Sequence, residues 1–248
     1  MKYTSRIGLF TLALATIATV QAQTTLRFQG AAALEKMIRP LVAEVGAAHG
    51  AKLELAPNST GRGLSNLAAG KAEVAMFAGE LNYFAAQANE TTPGSIDTTK
   101  LKVFPLGAVP AVIIVHPSNL IATFTNEQIR GIFSGKIGNW KDLGGADLPI
   151  VVALAGPNDG VRSVVTLAIM QAAPYAPAAR ITQNAPDLNK VVAQIPGAVS
   201  FMSVKNVAPE VRAVPPAQPI LVPYALITLG EPAEPLKAVI ADLQARLK

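Results

Sequence analysis

The stretch 125–162, TNEQIRGIFSGKIGNWKDLGGADLPIVVALAGPNDGVR, constrains the fold more than any other part of the chain. Thr125 followed by Gln128 is a capping box, in which the threonine oxygen and the glutamine side chain satisfy backbone N–H groups left free at a helix start. Ile129, Ile132 and Phe133 then repeat at helical spacing and predict one apolar face. Residues 135–145 carry turn chemistry and the single tryptophan, Trp140. Residues 149–154 form a short apolar run that suits a buried strand. Residues 156–160 are a loop that opens a helix at Val161, expected to run to Ala172.

The flanking segments extend the alternation of strand and helix. Residues 24–29 alternate as a first strand. They lead through Gly30 and Ala31–Ala33 into a helix with Leu34, Met37, Ile38, Leu41, Val42 and Val45 on one face, kinked at Pro40. Residues 52–56 read as a second strand, and residues 58–64 open a second helix through Leu67 and Ala68. Residues 70–77 are turn then strand, and 85–102 are expected to be an irregular surface excursion. The long apolar runs 103–116 and 220–230 are each able to cross between two lobes. Helices are expected at 187–194 and 234–248, with a strand at 196–202. Strands alternating with helices imply α/β layers.

Lys2 and Arg6 precede an apolar run at 7–20, and Val20-Gln21-Ala22 fits a small-residue cleavage site, so 1–22 reads as a signal peptide cut after Ala22. This predicts a periplasmic location. The absence of cysteine excludes disulfides, thiolate metal sites and cysteine nucleophiles. Loss of Lys2 and Arg6 removes two of the five net positive charges. The remainder is mild, suits an anionic ligand, and does not point to nucleic acid. His116 reads as a strand-end residue and His49 as a helix end. No metal site or cofactor is expected, and no Gly-x-Ser-x-Gly elbow or supported Ser/His/Asp set is present, so an enzyme is not expected.

FTNEQIRGIFSGKIGNWKDLGGADLPIVV resembles a signature of phosphate-binding periplasmic proteins of the PstS type, with helix, tryptophan turn and strand in the same order and spacing. VPAVIIVHPSN is similar to the family's hinge strand, and PGAVSFM to a later strand. The front half, FQGAAALEKMIRPLVAEV and NSTGRGL, also looks like molybdate-type binding proteins. The resemblance implies the two-lobe periplasmic-binding-protein fold of type II, each lobe a β-sheet flanked by helices, with a ligand cleft between the lobes. It divides the chain into a first lobe of 23–108 completed by 220–248, and a second lobe of 109–219. It further implies a monomer that hands a small anion, phosphate by family default, to an ABC permease. The alternative is a non-transport periplasmic or secreted binding module whose cleft takes a different small ligand or a protein partner.

The resemblance places the ligand where helix starts converge: Ala31 and Ala32 in the first turn, Ser59, Thr60, Gly61 and Arg62 in the second, Glu80 after the third strand, and Asn158, Asp159, Gly160, Val161 and Arg162 in the fourth. Free N–H groups there favour an anion. Several positions depart from the family pattern. Alanines replace first-turn hydroxyls, Ala78 stands where an aspartate accepts a phosphate proton, and Ala155 stands near an arginine position. Ser59 and Thr60 either cap their helix or donate to an oxyanion, and Arg62 either contacts ligand or sits in solvent. Asp159 would repel a dianion if desolvated, or it caps the helix it precedes with its own carboxylate.

Overall fold

The computed structural model describes residues 23–171, 173–183 and 186–247. The expected signal segment 1–22, Ala172 and Lys248 lie outside the described residues. Among the described residues, nine strands form one mixed sheet, ordered β2-β1-β3-β9-β4-β7-β5-β6, with β8 pairing on β4. The strands are β1 (Thr24–Gly30), β2 (Ala51–Pro57), β3 (Val74–Ala78), β4 (Leu101–Val115), β5 (Val151–Ala155), β6 (Arg180–Thr182), β7 (Ala198–Ser203), β8 (Arg212–Val214) and β9 (Ile220–Leu229). β1 runs parallel to both β2 and β3, and β5 runs parallel to both β6 and β7.

The two apolar runs become β4 and β9, which pair antiparallel from Leu101↔Leu229 to Ala111↔Ile220. The register shifts between Pro105 and Ala108, and a bulge is where a proline that cannot donate to the ladder is tolerated. One end of β9 pairs with β3 and one end of β4 pairs with β7. The two strands therefore join the β1–β3 side of the sheet to the β5–β7 side.

The period-2 alternation of a strand explains why helices cover both faces. In β3, Val74, Met76 and Ala78 enter the main core while Ala75 and Phe77 pack on the opposite face. In β5, Val152 and Leu154 share that main core and Ala153 and Ala155 face the other way. The main core is closed by α1 (Ala32–Ile38), α2 (Val42–Ala48), α5 (Asn126–Ser134), α6 (Gly160–Val165) and α8 (Leu236–Leu247). Leu64 and Leu67 of α3 (Thr60–Ala68) and Phe84 of α4 (Leu81–Thr91) cover the opposite face beside β3. Leu188 and Val192 of α7 (Pro186–Gln194) cover it beside β5.

The capping box is formed. Thr125 Oγ1 accepts the Gln128 N–H at 3.1 Å, and Gln128 Oε1 accepts the Thr125 N–H at 2.8 Å. Ile129, Ile132 and Phe133 are fully buried beneath it. Thr125→Ala is expected to cost about 1 kcal/mol, the usual loss for an N-cap hydroxyl; a urea melt that matches wild type would show that packing alone sets this helix start.

Three expectations need correction. Residues 85–91 are not irregular but belong to α4, which starts at Leu81, and Thr98–Lys100 is a short 3-10 turn. The helix expected at 161–172 is α6 followed by a π-turn, Thr166–Met170. Thr166 Oγ1 donates to the Arg162 carbonyl at 2.7 Å, and the Gln171 N–H reaches back five residues to Thr166. Pro40 does more than kink its helix: a 3-10 segment, Arg39–Leu41, separates α1 from α2.

Candidate functional site

Parallel strands deliver their carboxyl ends to one edge of a sheet, and the crevice outside those ends is where ligands bind in open α/β folds. Here the ends of β1, β2, β3, β5, β6 and β7 surround a cavity of about 770 Å³. Ala31, Ala32, Ser59, Thr60, Arg62, Asn158, Asp159 and Val161, eight of the residues expected from the sequence, line it. So do Ala78 and Ala155, the two positions singled out as departures.

Ser59, Thr60 and Arg62 of the second turn line the cavity. Ser59 precedes α3 in extended backbone, but its hydroxyl makes no capping bond; Oγ is buried and without a partner. The Ser59 N–H is instead taken by Asn58 Oδ1 at 2.7 Å. Thr60 is 2% exposed and lines the cavity. Arg62 is exposed at the rim and forms no ion pair among the described residues. Of the capping and ligand-donating readings of Ser59, the structure removes the first.

Asp159 shows the opposite behaviour. Its Oδ1 accepts the Arg162 N–H at 2.9 Å, so the side chain caps α6. Burial pushes its carboxyl above the usual carboxylate range, offset in part by the N–H groups of Arg162 and Val161 and by the Arg162 guanidinium. A carboxyl raised by folding binds protons more tightly folded than unfolded. Its contribution to stability is therefore fully present in acid, and is lost as pH rises from the ordinary aspartate value through the raised one. Asp159→Asn keeps the capping oxygen and removes the charge. The variant is expected to be more stable than wild type at about pH 7 and to lose that advantage at about pH 3.5, as paired urea melts would read.

Four expected residues do not line the cavity. Gly61 donates its N–H to the Asn158 carbonyl at 3.2 Å, across the seam between the two sides of the sheet. Gly160 sits against the end of β3, where a Cβ would come within 2.1 Å of the Ala78 carbonyl oxygen. Glu80 caps α4 by position, and its N–H donates to Ser163 Oγ at 3.0 Å, also across the seam. Arg162 turns away: Nη1 donates to the Ala155 carbonyl at 2.6 Å, and the guanidinium carbon lies 4.9 Å from the centre of the Tyr175 ring. Tyr175 is itself pushed up to about 12, chiefly by burial.

The floor of the cavity comes from residues that sequence reasoning passed over. Tyr224 of β9 and Ser203 at the end of β7 are both buried, share a 2.9 Å hydroxyl contact, and line the cavity. Tyr224 is the one polar side chain between Ile220 and Ala225 of an apolar run, and a buried tyrosine hydroxyl needs a partner; that was the available signal. Thr182, Gln183 and Asn206 also line the cavity from short segments with no periodic pattern. His116 bonds Ser118 and His49 pairs with Asp242, both outside the cavity lining. No helix among the described residues is long and apolar enough to cross a membrane. Among the same residues, no group of three His, Cys, Asp or Glu is placed to hold a metal.

A mixed sheet with two crossing strands, helices on both faces and a cavity at the strand ends is the two-lobe α/β fold of the type II periplasmic-binding-protein class. A family model described as "PBP superfamily domain" matches residues 16–240. The chain belongs to that family. It is similar to the "Phosphate-binding protein PstS" of Bacillus subtilis (strain 168), at 26% identity over 154 residues. That match covers 62% of this chain and 48% of the relative, so the chain spans about half the length of the curated relative it matches. Among solved structures it resembles a putative phosphate ABC transporter substrate-binding protein with bound phosphate from Clostridium perfringens. The TM-score is 0.75 at 21% identity, over 89% of this chain and 92% of that one. It also resembles an ABC-type phosphate transport receptor from Vibrio cholerae, with TM-score 0.67 at 21% identity, over 90% and 94% of the two chains. The structural likenesses speak to the fold, and the resemblance to PstS-type proteins read from the sequence is borne out.

Proposed function

We propose that the protein is a periplasmic solute-binding protein that holds a small anionic solute in this cavity and presents it to an ABC permease. Phosphate is the default solute by analogy with the relatives. The observation that carries this reading is the start of α3. Ser59, whose buried hydroxyl has no partner, lines the cavity with Thr60 and the exposed Arg62. A helix start favours negative charge, and an unpaired buried hydroxyl is costly until a ligand oxygen meets it. Residues 23–108 with 220–248 form one lobe and 109–219 the other, hinged at β4 and β9. The exported chain begins after Ala22 and works as a monomer, with no catalytic group.

The test is a thermal-shift titration of residues 23–248 with inorganic phosphate, sulfate and methylphosphonate. A ligand that binds only the folded state raises the melting temperature by mass action. At least one of these anions is expected to stabilise the protein, and Ser59→Ala combined with Thr60→Val to reduce the shift sharply. No response to any anion, or an unchanged response in the double variant, would overturn the reading.

A further inference from the structure

The charges around the cavity do not match a bare dianion. Arg62 and Asp159 are the only charged residues among the described residues that line it, so the lining is electrically balanced. The next cation, Arg162, is committed to the Ala155 carbonyl and the Tyr175 ring. The cavity also exceeds the needs of a lone tetrahedral ion: about 770 Å³ falls within the range that holds whole organic ligands. Ala31, Ala33, Ala78 and Val161 give it apolar wall between the polar groups.

We propose that the solute is a small zwitterion, its anionic head held by Ser59, Thr60 and Arg62 and its cationic nitrogen held by Asp159. This rests on the function proposed above and names the chemistry of its ligand. A carboxylate offers about four acceptor sites, and the Arg162 N–H takes one of them at 2.9 Å. An ammonium group takes what is left. Tyr224 and Ser203 bring further oxygen acceptors to the cavity, and the charge of Asp159 reaches Tyr224. The spacer between the two ionic groups is short, because the Thr60 hydroxyl lies beside Gly160, the residue that follows Asp159. Asp159 has a backbone N–H partner and the charge of Arg162 nearby but no ion pair among the described residues, and a buried carboxylate is stabilised once an ammonium pairs with it.

Calorimetric titration of residues 23–248 separates the sources of such a zwitterion. The probes are 2-aminoethylphosphonate, taurine and β-alanine, each beside its amine-free partner ethylphosphonate, ethanesulfonate and propionate, with inorganic phosphate as reference. One aminated probe is expected to bind about tenfold or more tightly than its amine-free partner and than phosphate, the effect of one charge-assisted contact. That preference should vanish in Asp159→Asn and in Asp159→Ser, both of which retain a capping oxygen, while Arg62→Ala should weaken aminated and amine-free probes alike. Equal or tighter binding of phosphate or the amine-free probes would overturn the zwitterion and leave the anion-binding function standing. So would an amine preference that survives both Asp159 variants. Silence from every probe would overturn both.

Discussion

Trp140→Ala is expected to lower the unfolding free energy by about 3–5 kcal/mol, the range for truncating a buried large aromatic. Trp140 is 1% exposed, lies 5.9 Å from Phe124 ring to ring, and donates its Nε1–H to the Gly197 carbonyl at 3.0 Å. The same carbonyl accepts the Val151 N–H at 2.9 Å, so the indole is tied to the point where β5 and β7 begin. Trp140→Phe separates the two contributions: it keeps most of the buried ring, loses the hydrogen bond, and is expected to cost about 1–2 kcal/mol beyond the smaller ring. Equilibrium urea melts measure both. A loss below about 1 kcal/mol for the alanine variant would show that the core collapses into the vacated space more completely than cores usually do.

Gly160→Ala is expected to weaken ligand binding at least tenfold and to destabilise the fold by about 1–3 kcal/mol, the usual cost of overpacking. Its new Cβ would meet the Ala78 carbonyl oxygen at 2.1 Å and carbon at 2.7 Å, with Thr60 Oγ1 at 3.0 Å. These first neighbours are backbone and cannot rotate aside. The chain must move β3 away from α6, which strains the Gly61-to-Asn158 and Glu80-to-Ser163 bonds that close the seam. Gly138→Ala is the control: a Cβ there meets nothing within 4 Å, and it should leave stability and binding unchanged. Small-angle scattering that shows no widening, together with wild-type affinity, would place the seam outside the determinants of binding.

Local chemistry made much of this protein legible. The Thr125–Gln128 box, the apolar face beneath it and the capping role of Asp159 depend on neighbours three or four residues away, and sequence shows such neighbours directly. The departures at Ala31, Ala78 and Ala155 were legible by comparison with the family pattern, since Ala78 and Ala155 end their strands and Ala31 follows one. What stayed hidden depends on distance in the chain. Tyr224 and Ser203 meet because β9 and β7 flank β4, which no window of residues reveals. Arg162 follows Asp159 closely in sequence, yet its guanidinium points to Tyr175, a partner set by the π-turn that Thr166 introduces. α4 was missed although Leu81, Phe84, Ala85 and Ala88 recur at helical spacing, because the stripe is short, half alanine, and only Phe84 and Ala85 of the eleven residues are buried. β6 and β8, three residues each, are too short to show a period.

The placement of β9 sets the order in which the chain can fold. β9 sits between β3 and β4, so β3 has its second neighbour only when residues 220–229 arrive. Everything made earlier, including the whole β1–β3 side, is left with an open edge until the end of the chain is present. Pairings this distant in sequence are slow to form, because loop closure comes before any contact energy is gained. A nascent chain stopped short of residue 220 therefore has no strand to join β3 to β4, and the two sides of the sheet stay unconnected until the end of the chain arrives.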